Sequence, residues 1–174
     1  MKIRYISNEK EIQSQGDTVV VLGYFDGLHR GHQELFRTAR RIADEQGLVV
    51  AVLTFPESPK LAFCRYQPEL LLHLQNPEER LKRMEEFGVD ELYLIDFTSD
   101  FAAHTAEEFV TTYLTRLRAR VLVAGFDYSF GSDKKVASDL GTYFKGQVIV
   151  VPPVLDQGEK ISSTRIRQAI ASGQ

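Results

Sequence analysis

One cysteine in 174 residues leaves no partner for an intrachain disulfide, and Cys64 alone cannot build a zinc site. Beside Phe63 it reads as a small buried hydrophobe. No apolar run approaches the length of a membrane span, and the opening MKIRYISNEKEIQ is too polar for a secretory signal. A cytoplasmic protein is therefore expected. Charge of one sign is also scarce: 21 Lys and Arg against 24 Asp and Glu give a net charge of −3. That excludes bulk attraction to nucleic acid or to an anionic membrane, so any anion site must be local. Repeats, low-complexity tracts and linkers are missing as well. With 43% hydrophobic and 26% charged residues, the composition is that of an ordinary globular chain. Its length suits a single domain over 1–174 with a substantial core.

Aliphatic and β-branched runs alternate with helix-period segments. Strands are expected at Thr18–Leu22, Leu48–Phe55, Glu91–Asp96, Val121–Ala124 and Gln147–Val151. Helices are expected over Gln33–Gln46, Pro77–Phe87, Thr105–Leu117 and Ser163–Ala171, with a short one at Ser138–Phe144. Gly47 and Gly88 suit helix ends, while Asn76 and Pro77 suit a helix start. Pro56, Pro59 and Pro68 mark an irregular stretch between. Strands that lack clean polar alternation and are separated by helices imply a parallel sheet of about five strands with helices on both faces. In such sheets ligands bind beyond the carboxyl ends of the strands.

The stretch Gly23-Tyr-Phe-Asp-Gly-Leu-His-Arg-Gly-His32 leaves the first strand and opens the first helix. A strand-to-helix junction offers unpaired backbone N–H groups and the positive end of the helix dipole, a natural phosphate site. His29 and His32, at i and i+3, share one face and can donate to the same anion. Gly27 and Gly31 remove side chains where a ligand approaches. Tyr24 and Phe25, within the loop, are candidates for contact with a nucleotide. A second segment, Ile161-Ser-Ser-Thr-Arg-Ile-Arg167, opens the last helix. Ser162 or Ser163 can cap it, Thr164 and Arg167 share a face, and Lys160 adds a cation just before the cap. His73 and His104 lack partners at ligand spacing and read as structural, and Phe97, Phe101, Phe109 and Tyr113 read as core.

His-x-Gly-His after an apolar strand is the signature of nucleotidyltransferases that act at the α-phosphate of a nucleoside triphosphate. More narrowly, GYFDGLHRGHQ, GFDYSFGSD and KISSTRIRQAI, in this order and spacing, resemble the FMN adenylyltransferase module of bacterial bifunctional riboflavin kinase/FAD synthetases. The resemblance runs from about Thr18 to the end of the sequence. It implies a Rossmann-like nucleotidyltransferase fold that converts FMN and ATP to FAD and pyrophosphate with Mg²⁺. By position, His29 and His32 correspond to the family's phosphate-contacting pair. Ser162, Ser163, Thr164 and Arg167 match its second phosphate motif, and Asp127 matches the acidic or amide position of Gly-x-Asp-Phe-x-Phe-Gly. Catalysis is thus expected of His29, His32 and Arg167. ATP contacts are expected from Gly23, Tyr24, Phe25, Asp26, Gly27, Asp127, Lys160 and the Ser162–Thr164 hydroxyls. Asp26 and Asp127 are metal or ribose candidates, and no protein ligand is assigned to Mg²⁺, which commonly contacts phosphates and water.

This chain departs from the family after the second strand. Where the family shows something close to Thr-Phe-Asp-Pro-His-Pro, it has Thr54-Phe-Pro-Glu-Ser-Pro59, without the Asp and the His. That loop borders the flavin site in the family, so flavin contacts are expected from Thr54, Phe55 and Pro56. Tyr128 replaces a usual Phe. The kinase motif Gly-x-Pro-Thr-Ala-Asn does not occur, and phosphorylation of riboflavin is not expected of these 174 residues. Two alternatives stay open: a nucleotidyltransferase with another phosphorylated acceptor, and a degenerate module that binds nucleotide or flavin without turnover.

The last helix yields a direct contrast. Arg167 lies i+3 from Thr164 and i+4 from Ser163, on the face that would meet the ATP phosphates, whereas Arg165 is turned about 100° from Thr164. Arg167→Ala is expected to lower kcat/KM for ATP by about tenfold or more, the size of a lost charge-assisted hydrogen bond. Lys should recover only part of it, because an ammonium lacks the planar donor fork. Arg165→Ala should stay within about twofold, as for a surface substitution. Equal losses in steady-state kinetics, or a larger one at Arg165, would show that the helix faces the other way.

Overall fold

The computed structural model describes residues 1–23, 25, 30–55, 77–96, 98–153, 155–156 and 159–160. Its centre is strand β2, Thr18–Leu22, a β-branched run in which all five residues are buried. Such a run can be satisfied only inside a sheet covered on both faces. β2 pairs in parallel with β3 (Val49–Thr54) on one side and with β5 (Ala119–Gly125) on the other. Beyond β3 lies β4 (Glu91–Ile95), then β1 (Lys2–Ile6) at the edge; beyond β5 lies β8 (Gln147–Val151). The sheet order is β1-β4-β3-β2-β5-β8, and every pairing in it is parallel. Two small antiparallel ribbons accompany it: β6 (Ser129–Phe130) with β7 (Lys135–Val136), and β9 (Leu155–Asp156) with β10 (Glu159–Lys160).

The sheet has six strands where about five were expected. The additional one, β1, has the sequence KIRYI, with four of its five residues exposed. At an edge it needs no continuous apolar run, so its sequence carries no strand signal of the kind that marks β2.

Alternate residues of each strand divide between the two faces. Val19 and Val21 join Val50, Val52, Leu92, Leu94, Val121 and Val123 on one face. The helix α1 (Arg30–Gln46) covers that face with Leu35, Phe36, Ala39, Ile42 and Ala43, a stripe at helical spacing. α1 ends at Gly47, whose φ of +68° is the left-handed geometry of a helix stop. α2 (Pro77–Glu86) adds Met84 to the same face. The opposite face, with Val20, Leu22, Leu53, Tyr93, Leu122 and Ala124, is covered mainly from the segment between β4 and β5. There α3 (Ser99–Ala102) precedes α4, which begins at Ala106–Phe109 behind a Thr105/Glu108 capping box and widens into a π turn at Val110–Leu114. Phe109, Val110, Tyr113 and Leu114 are its buried contribution. A short α5 (Leu140–Tyr143) stands where a brief helix was expected. The helix expected at Ser163–Ala171 lies outside the described residues, as does Asn76, expected to cap α2.

At the amino end of β4 the fold buries a carboxylate. Glu91 is 4% exposed and accepts from Ser14 Oγ (2.9 Å), the Gln15 N–H (3.0 Å) and the Tyr93 hydroxyl (3.0 Å). Burial first, and the Glu91 charge second, hold the Tyr93 phenol well above its usual pKa, so it remains a donor. Glu91 thereby ties the loop before β2 to β4. Glu91→Ala would leave these donors without their acceptor and is expected to cost about 3 kcal/mol in urea unfolding. Glu91→Gln, which keeps an acceptor oxygen, should cost clearly less. Alanine and glutamine variants of equal stability would show that the carboxylate does not anchor the loop.

Candidate active site at the carboxyl edge

The parallel register brings the strand ends level: Leu22 pairs with Leu53 of β3 and with Ala124 of β5. The chain leaves β2 toward β3 and β4 on one side, while β5 and β8 lie on the other. The gap between β2 and β5 is therefore the topological switch point, the crevice in which open α/β sheets bind ligands.

Gly23 and Phe25 lead from β2 toward α1. Phe25 takes a φ of +53° and is 1% exposed. Its ring folds back over Gly23, where a Cβ would meet ring carbons at 2.6 and 2.7 Å, so this glycine is required by close approach. The same ring packs edge-on against the His32 imidazole at 5.2 Å and lies tilted against Phe36 at 5.1 Å. Phe25 thus packs against the half-buried His32 in the first turn of α1, and its side chain belongs to the core. Across the crevice, Gly125 closes β5. A Cβ there would lie 3.1 Å from Asp127 Oδ1 and 3.9 Å from Leu35, three residues after His32 on α1. The Asp127 carboxylate, on an exposed residue, accordingly turns back over the strand end toward α1. The Tyr128 N–H closes that turn on the Gly125 carbonyl at 3.1 Å, and the Phe126 N–H donates to the Val151 carbonyl of β8 at 3.1 Å.

Of the residues expected at the ATP site, the structure brings Gly23, His32 and Asp127 to this crevice. Lys160 lies in β10, where its backbone pairs with Leu155. Tyr24, Asp26, Gly27, His29, Ser162, Ser163, Thr164 and Arg167 lie outside the described residues, as do Pro56, His73 and Phe97. Among the described residues no group of three or more His, Cys, Asp or Glu side chains could hold a metal ion.

The remaining expected flavin contacts stand one layer behind the surface. Thr54 is 1% exposed, and its Oγ1 accepts from Arg80 of α2 at 3.3 Å. Phe55 is buried, with its ring edge-on to Phe101 at 5.3 Å. Thr54 is thus tied to α2, and Phe55 backs Phe101. Phe101 in turn forms part of a pocket that sequence reasoning missed, of about 130 Å³, walled by Phe101, His104, Phe109, Tyr128 and Phe130, with Lys134 on its lining. Tyr128 and Phe130 stack in parallel at 5.7 Å, and His104 Nδ1 lies 3.1 Å from the Phe101 carbonyl, which fixes the imidazole. Phe109 and Tyr113 are core as expected, and Phe109 and Phe101 also serve as pocket wall. The signal that could have found it is the spacing Tyr128-x-Phe130 directly after the carboxyl end of β5.

The loop from β6 to β7 is docked on α4. Asp133 Oδ1 accepts from the Ala106 N–H at 2.9 Å, and the Ser132 N–H donates to the His104 carbonyl at 2.7 Å. Gly131 has a φ of +81°, and a Cβ on it would lie 2.5 Å from the Ala106 nitrogen. A side chain at 131 would push the loop off the helix.

A family model described as FAD synthetase matches residues 11–165. A bifunctional riboflavin kinase/FMN adenylyltransferase of Listeria monocytogenes is 38% identical over 159 residues, covering 90% of this chain and 50% of that one. A solved structure named as a macrolide-efflux protein from Streptococcus pneumoniae is 57% identical with a TM-score of 0.89, covering 98% of this chain and 58% of the other. No helix among the described residues is long and apolar enough to cross a membrane. Pantoate-β-alanine ligase from Francisella tularensis, 15% identical with a TM-score of 0.54 and coverages of 95% and 72%, shares the fold alone. The chain spans about half the length of the curated relatives it matches first. With its family model matched across most of its length, this chain belongs to the FAD synthetase family.

Proposed function

We propose that this chain transfers the adenylyl group of ATP to FMN, giving FAD and pyrophosphate. The observation that carries the reading is the position of two complementary features on one sheet edge. These are a crevice with Gly23, His32 and Asp127 at the β2/β5 switch point, and an aromatic pocket beside it beyond β4 and β5. The first suits a polyphosphate at a helix start. The second has the volume of about one aromatic ring, comparable to a ~150 Å³ cavity that takes up benzene. One ring of the isoalloxazine would enter it against Tyr128 and Phe130, with the ribityl phosphate directed to the crevice.

The phosphate of FMN is largely ionised near neutral pH and needs no general base. One of its oxygens attacks the α-phosphorus of ATP, the new P–O–P bond forms, and the bond to pyrophosphate breaks in line. The chain's task is to hold both substrates in line and offset the developing charge. His29, His32 and Arg167 supply that positive potential, with Lys160 and the hydroxyls of Ser162, Ser163 and Thr164 on the same phosphates. Mg²⁺, carried on the ATP phosphates with Asp127 within the crevice, would neutralise the charge of the leaving pyrophosphate. ATP and FMN are the small-molecule substrates, and the cytoplasm is the compartment.

Purified protein with ATP, Mg²⁺ and FMN should form FAD and pyrophosphate, read by chromatography. A panel of other phosphorylated acceptors should give none, and turnover of one of those instead would replace this reading. His29→Ala and His32→Ala are each expected to reduce the rate at least ~100-fold, the loss typical of one transition-state donor. Circular dichroism should report an intact fold. A folded variant with near-normal FAD synthesis would remove that histidine from the mechanism.

A further inference from the structure

Three non-glycine residues among those described have positive φ: Phe25, Arg118 and Lys134. Two have an evident physical reason. Phe25 delivers its ring to the core. Arg118 pairs with Asp17 at 2.9 Å and accepts the Thr18 N–H at 3.0 Å, which fastens the start of β2. Lys134, at φ +51°, is exposed, and its N–H closes a turn on the Gly131 carbonyl at 3.1 Å. Any residue could make that bond, and glycine or asparagine would make it with less strain. Strained backbone persists where its surroundings over-determine it, and here they do, because Ser132 and Asp133 pin the loop to His104 and Ala106. The result is a cation on the lining of a pocket walled mainly by aromatic rings.

Resting on the flavin reading above, we propose that Lys134 is a specificity-determining residue that donates to the electron-rich N1–C2=O edge of the flavin ring at the pocket mouth. The pocket accommodates about one ring, so the dimethylbenzene end enters against Tyr128 and Phe130. The polar pyrimidine end stays at the mouth, where an exposed lysine can reach it. The phosphate is a poor partner for Lys134, because it must reach the crevice formed by Gly23, His32 and Asp127.

Quenching of flavin fluorescence by the full chain reads ring binding without turnover. Lys134→Gln is expected to weaken riboflavin and FMN by the same factor, about tenfold for a lost charged hydrogen bond. Lys134→Arg should recover part of the affinity. Lys134→Asn should lose affinity while keeping or raising Tm, since asparagine tolerates the left-handed region. Unchanged riboflavin binding by Lys134→Gln would overturn the proposal. So would weakened FMN binding with riboflavin spared, which would assign the cation to the phosphate. A Tm that falls in both the Gln and Asn variants would overturn it too, by making Lys134 a structural residue. Wild-type protein that binds neither flavin would instead sink the FMN reading itself, and this inference with it.

Discussion

Everything at the functional edge depends on how β2 is held. Its five residues are buried, and it is paired in parallel on both sides, so it can neither slide nor tilt without disturbing β3 and β5 together. A one-residue slip would exchange Val19 and Val21 with Val20 and Leu22 between two cores of different composition. The register that places Leu22 beside Ala124 also places Gly23 beside Gly125, and that pair of strand exits is the crevice. Thr18 fixes the other end: its Oγ1 donates to the Leu117 carbonyl at 2.8 Å and its N–H to Arg118 at 3.0 Å. The strand is fastened at its start, and at its finish it gives way to Gly23.

The aromatic residues near the site work at two depths. Phe25 and Phe36 lie beneath His32, and Phe36 in turn stacks on Phe87 at 5.8 Å, so the histidine rests on a ring column that continues toward α2. Phe55, Phe109 and Tyr113 lie beneath Phe101 in the same way, on the opposite face of the sheet. Each half-buried ring is thereby packed against buried neighbours. Such packing would give the proposed reaction the preorganisation that electrostatic and positional catalysis requires. Arg80 extends it to β3, because its guanidinium reaches Thr54 Oγ1 and the Phe55 carbonyl and fixes where that strand ends.

How much of this was legible in the sequence depends on how each residue is buried. Thr18–Leu22 and Gln147–Val151 were read to the residue, since continuous β-branched runs bounded by polar turns have few other uses. β1 was not read, because an edge strand such as KIRYI is polar on purpose. The helix after Thr105 was read, but its π turn was not, since widening by one residue leaves the apolar spacing of Val110, Tyr113 and Leu114 intact. His32, Gly23 and Asp127 were legible as local motifs that follow strands. The pocket was hidden because Phe101 and Phe109 present one side to the core and another to the pocket. A spacing argument registers only the first.

The two halves of the site are not independent, because one short segment serves both. After Gly125 the chain turns Asp127 toward α1 on one side of β5. It then lays Tyr128 and Phe130 against the core on the α4 side. Gly125, Phe126 and Tyr128 are tied by backbone hydrogen bonds to one another and to β8, and the far end is locked to α4 through Asp133. A segment held at both ends cannot move its phosphate-side carboxylate without moving its ring shelf. The separation between the crevice and the pocket is thus set by covalent geometry and four hydrogen bonds rather than by two loops that wander separately. For the in-line transfer proposed above, where an ångström of misplacement lowers the rate by about two orders of magnitude, that coupling would be the contribution the fold makes to the chemistry.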